Sequence, residues 1–94
     1  MIEKSQHTED TETRLRRLRM RSWRRGMKEM DLILGSFADS ELARLSSDEL
    51  DAHEALMEEA DQDLYAWISG TTPIPDRFSA SIARILANMS ARSS

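Results

Sequence analysis

Apolar residues recur at three- and four-residue spacing along most of the chain, a rhythm that predicts helices rather than strands. Between Met27 and Phe37, the residues Met27, Met30, Ile33, Leu34 and Phe37 fall on one helical face. Phe78, Ile82, Ile85, Leu86 and Met89 draw a second stripe, in a helix that restarts near Asp76 after the turn TTPIPD. LSSDELDAHEALMEEA aligns Leu50, His53, Leu56, Met57 and Ala60, with Ser47 as the expected cap and Asp48 and Glu49 at the positive end of the helix dipole. DQDLYAWISG predicts a short helix capped by Asp61, burying Leu64, Trp67 and Ile68 and closing on Gly70. A first helix is expected from Thr11 or Thr13 up to Gly26, turning Leu15 and Leu18 inward, with Met20 or Trp23 as further core candidates. The pattern predicts an all-α fold, a compact five-helix bundle with short loops. It occupies residues 11–90, flanked by a disordered tail at 1–10 and a frayed end at 91–94.

Composition narrows the function classes. A chain of 94 residues supports one core. There are no cysteines, which excludes disulfides, thiolate metal sites and cysteine nucleophiles. No apolar run reaches the ~18 residues of a bilayer span, and the start MIEKSQHTEDTET is polar and acidic, unlike a secretory signal. These features lead to the expectation of a cytoplasmic protein with no membrane insertion. No paired carboxylates in an apolar setting, no Ser-His-Asp arrangement and no glycine-rich phosphate loop are visible, so the expected role is not enzymatic. His53 reads as a core histidine, and the acids lack the spacing of a calcium loop.

Net charge is -4, yet the charges are segregated. Arg14, Arg16, Arg17, Arg19, Arg21, Arg24, Arg25 and Lys28 follow one another with no acid between them, and an acidic stretch from Glu29 to Asp63 comes next. The basic block admits one rival reading, a small nucleic-acid-binding regulator using the first helix. A pI of about 5.1 and the spread of arginines around the helix count against it, so no nucleic-acid partner is expected.

Gly26 sits where the first helix should hand over to the second, and a sharp corner is its simplest role. The charges around it, Arg24, Arg25, Lys28 and Glu29, go beyond what a turn needs. On a helical wheel Glu29 lies well off the apolar face and Leu32 nearly opposite it, which predicts an acid and an exposed leucine beside the corner. Two readings stay open at this point: a recognition surface, or an exposed ion pair between Arg25 and Glu29 worth under ~1 kcal/mol.

RRGMKEMDLIL followed by SDELDAHEALMEEADQDLYAWI resembles the family of succinate dehydrogenase assembly factors that promote covalent attachment of FAD to the flavoprotein subunit. The Arg-Gly-x-x-Glu hallmark is met by Arg25, Gly26 and Glu29, with Asp31 two residues on. A second, Asp-x-Asp-Leu-x-x-Trp, is met by Asp61, Asp63, Leu64 and Trp67. The resemblance covers roughly Arg19 to Ile68. Ser36 stands where the family often has proline, and His53 where it usually has a large apolar residue. It implies a five-helix chaperone that binds no cofactor itself, the FAD belonging to its client. The implied partner is the flavoprotein subunit of succinate dehydrogenase, with a fumarate reductase flavoprotein as a second candidate, and the factor is expected to be a monomer. Carried onto this chain, client binding falls to Arg25, Gly26 and Glu29, with Arg21, Arg24 and Asp31 as second choices.

Overall fold

A computed structural model describes residues 9–93, and the expected disorder of the preceding residues lies outside that range. Five α-helices follow one another: α1 Thr11–Ser22, α2 Lys28–Glu41, α3 Ser47–Met57, α4 Asp61–Ser69 and α5 Ser79–Ser93. Short 3-10 turns at Leu42–Arg44 and Asp76–Phe78 lead into the loops or helices that follow, and no strand occurs among the described residues.

Local chemistry sets the helix ends, in places one residue from where the pattern put them. The cap of α1 is Asp10 rather than Thr11 or Thr13, because its carboxylate accepts from the Thr13 amide at 2.8 Å. Ser46, not Ser47, caps α3. Its hydroxyl accepts from the Glu49 amide while the Glu49 carboxylate accepts from the Ser46 amide, a box that only the Ser46–Glu49 spacing allows. Ala60 precedes α4, so Asp61 is its first residue and its carboxylate is free for another use. Gly70 closes α4 at φ 83°, the left-handed conformation expected of it. α1 stops at Ser22, short of Gly26, whereas α2 runs past Phe37 to Glu41 because no breaker follows and Ala38 still faces the core.

α2 packs against α1 on one side and α5 on the other. Leu18, Met30, Leu34, Phe37, Leu56, Met57, Leu64, Ile82 and Ile85 are almost wholly buried between the helices. Leu86, Ala60 and Met20, expected inside, are exposed: Leu86 lies at the edge of its stripe, Ala60 beyond the end of α3, and Met20 on the side of α1 opposite Leu18. His53 is a core residue, stacked on Phe37 with ring centroids 4.9 Å apart. Burial first, then the charges of Arg84 and Arg25, push its pKa down to about 4.

The charge segregation along the chain is spent largely inside the molecule. Arg14 reaches Asp51 and Glu54 of α3, Arg17 reaches Glu54 and Glu9, and Arg21 reaches Glu58. Burial works against ionising Glu54, yet its hydrogen bonds from Arg14 and Arg17 hold its pKa below the usual carboxylate value.

Candidate functional site

The chain leaves α1 through Trp23 and Arg24, turns at Gly26 and enters α2 at Lys28. Gly26 has φ 102°, a conformation that any residue with a Cβ adopts at a cost. A Cβ built there would meet nothing within 4 Å, so the outer side of the corner is open.

α2 begins without a side-chain cap, its preceding residue being Met27. Asp31 serves the corner instead. Its Oδ1 accepts from the Arg25 amide at 2.6 Å and the Gly26 amide at 3.3 Å, so two successive N–H groups cradle one carboxylate oxygen. The Asp31 amide donates in turn to the Met27 carbonyl, which makes the corner a closed unit.

The Arg25 side chain points away from that opening. Its Nε donates to Asp61 Oδ1 at 2.7 Å, Nη1 to the Met57 carbonyl at 2.5 Å and Nη2 to the Glu59 carbonyl at 2.8 Å. The guanidinium therefore caps the end of α3 and grips the start of α4, with only 10% of the side chain exposed. The alternative of an Arg25–Glu29 ion pair is thereby corrected: the acid that meets Arg25 is Asp61. A fork bound to three acceptors within its own chain is also no free hand for a client, so the structure gives Arg25 the task of holding the corner in place.

What remains outward is a different set. Gly26, Lys28, Glu29 and Arg24 are exposed, and the side chains of Glu29, Lys28 and Arg24 make no hydrogen bond or ion pair with a described residue. Leu32, one turn beyond Glu29, is 51% exposed, as the wheel predicted. Arg21 is half-exposed and held by Glu58 at 3.0 Å. Of the six residues singled out from the sequence, Gly26, Glu29, Arg24 and Arg21 lie on the surface at or beside the corner. Arg25 and Asp31 face inward and support it.

One residue escaped the sequence reading. The Trp23 indole lies across α2 at Gly35, where a Cβ would stand 2.2 Å from the ring, and its Nε1 donates to Asp39 at 3.4 Å. Gly35 in the middle of a helix was the available signal, since an interior glycine that neither caps nor kinks marks a close approach. The indole, 38% exposed, lies beside the ridge that carries Leu32 and Asp39.

The family model for Sdh5, described as flavinator of succinate dehydrogenase, matches residues 16–90. A protein of Meyerozyma guilliermondii named succinate dehydrogenase assembly factor 2, mitochondrial, is 41% identical over 81 residues, which is 82% of this chain and 60% of that protein. The protein of the same name from Candida glabrata is 40% identical over 65 residues, covering 66% of this chain and 42% of its own length. That from Mycosarcoma maydis is 39% identical over 74 residues, covering 79% and 31%. The chain thus spans less than two thirds of the length of these relatives. Their names also overturn the expectation of a cytoplasmic protein, because all three are designated mitochondrial. The absence of cysteines is compatible with a reducing compartment but does not say which one. With the family model covering most of the chain and both hallmarks joined through Arg25 and Asp61, the chain belongs to the Sdh5 family, the flavinators of succinate dehydrogenase.

Proposed function

We propose that this chain is an assembly factor that promotes covalent attachment of FAD to the flavoprotein subunit of succinate dehydrogenase. It acts by binding, not as an enzyme: the bond-forming chemistry belongs to the flavoprotein and its FAD, and the factor binds no cofactor of its own. By docking as a monomer, it raises the population of the client conformation in which the flavin and its attachment residue are aligned.

The observation that carries this reading is the construction of the corner. Gly26 and Glu29 are exposed, with open space where a Gly26 Cβ would stand, while Asp31 and Arg25 fix the same backbone from within. A preorganised surface loses little conformational freedom on docking, which is where binding energy is otherwise lost. Gly26 admits close backbone approach, Glu29 accepts from a client donor, and Arg24 and Leu32 supply a cation and an apolar contact at its sides.

The test is reconstitution of the purified flavoprotein subunit with FAD, with and without the chain, followed by denaturation and measurement of the flavin that stays attached. A severalfold gain in retained flavin is expected. Equal retention in both samples would rule the function out. A fumarate reductase flavoprotein in a parallel sample decides whether the client range is wider.

A further inference from the structure

The outward face of α1 forms a surface of its own. Thr13, Arg16, Arg17, Met20, Arg21 and Arg24 repeat at spacings of three, one, three, one and three, and together line an open groove. At 100° per residue the members on α1, from Thr13 to Arg21, lie opposite the buried Leu18 and Ser22, and Arg24 joins them from the segment that follows the helix. Arg17 and Arg21 are already paired, to Glu9 and Glu54 and to Glu58. Arg16 and Arg24 are exposed, and their side chains make no hydrogen bond or ion pair with a described residue. Met20 lies midway between them, 47% exposed. Arg16 and Met20 stand one turn apart on α1, about 6 Å at 1.5 Å per residue, and Arg24 follows two residues past the helix end at Ser22, so the groove runs cation, thioether, cation.

We infer that this face docks an acidic peptide segment of a protein partner, in which two carboxylates flank one large apolar side chain. The inference rests on the reading that the chain works by docking a protein, and it assigns the chemistry of a second point of contact. Carboxylates meet the two unpaired guanidinium groups in forked hydrogen bonds, and the apolar residue covers Met20, whose flexible thioether adapts to its shape. A nucleic-acid backbone fits less well. It would set phosphates against Glu9, Glu54 and Glu58, which interleave with the arginines, and it has nothing to place on Met20.

The test titrates the intact chain with a helical peptide of the pattern Glu-x3-Leu-x3-Glu, against a scrambled peptide of identical composition and an oligothymidylate of equal charge. The patterned peptide is expected to bind saturably and at least fivefold more tightly than the scrambled one. Met20→Ala and the pair Arg16→Glu with Arg24→Glu should each weaken it at least tenfold, with thermal unfolding unchanged because all three side chains face solvent. Equal binding of the two peptides, indifference to Met20→Ala, or tighter binding of the oligothymidylate would overturn the inference. The flavoprotein is not in the assay, so a chain that binds the peptide yet leaves flavin attachment unchanged disproves the proposed function alone.

Discussion

The Arg25 guanidinium meets the Asp61 carboxylate at 2.7 Å, joining two short motifs that lie 36 residues apart in the chain. One motif supplies the corner and the other the first turn of α4, so each reads as a fragment until the pair is seen. The pair also separates Arg25 from Glu29, which the hallmark places side by side. Arg25 holds the surface from behind, and Glu29 is part of the surface.

Arg25→Ala should therefore act on stability. Both partners of the ion pair are mostly buried, and the change strands Asp61 together with two carbonyls at the end of α3. A loss of about 2–3 kcal/mol is expected in urea unfolding, against a change within about 0.5 kcal/mol for Glu29→Ala. Equal unfolding midpoints for the two variants would mean that the Arg25 contacts contribute nothing.

At Gly26 the backbone and the surface can be tested apart. With φ at 102° and open space around the missing Cβ, alanine and arginine meet the same backbone strain, about 1–2 kcal/mol, and no clash. Gly26→Ala and Gly26→Arg should lose similar stability, while only the arginine blocks close approach of a client. A folded Gly26→Arg variant that docks as well as Gly26→Ala would show that the corner is not at an interface.

Trp23 and Gly35 form a pair whose coupling has a predictable sign. Gly35→Ala drives a methyl into the indole and should expel it, seen as a red shift of tryptophan emission. In a Trp23→Ala background the same change meets no ring and should stabilise α2 by about 1 kcal/mol through helix propensity. Additive effects of the two substitutions would contradict the packing.

His53 gives the fold a pH dependence. The unfolded chain takes up a proton below about pH 6.5, while the buried imidazole resists protonation until about pH 4. Stability should thus be full above pH 6.5 and fall as the pH drops towards 4, by up to about 3 kcal/mol. His53→Phe, which keeps a ring on Phe37, should flatten that part of the profile. An unfolding midpoint that stays constant between pH 7 and 4.5 would count against the buried neutral histidine.

Much of this architecture was legible from periodicity. The stripes of α2, α3 and α5 named most of the core, Gly70 closed α4 as expected, and the wheel put Leu32 on the surface. Periodicity carries no information about which distant groups meet, and there the reading stopped. Arg25 was assigned outward because its nearest acid in sequence is Glu29 and its true partner lies beyond two more helices. The caps at Asp10 and Ser46 were missed because Thr11, Thr13 and Ser47 also offer a side-chain oxygen that can accept from a first-turn amide, and only the placement of the first turn chooses between them. The basic block suggested a long-range field, but its inward members are neutralised by α3, a pairing that the order of charges along the chain conceals.

The central claim is that the exposed side of the Gly26 corner docks the flavoprotein, and the most direct measurement is the affinity of purified flavoprotein subunit for Glu29→Ala beside wild type and Glu58→Ala, with unfolding recorded for all three. The Glu29 side chain makes no hydrogen bond or ion pair with a described residue, so its truncation reports on docking with little effect on the fold. The account predicts that Glu29→Ala binds at least tenfold more weakly, a difference of about 1.4 kcal/mol, with an unchanged unfolding midpoint and with Glu58→Ala near wild type. Equal affinity for wild type and Glu29→Ala would contradict it.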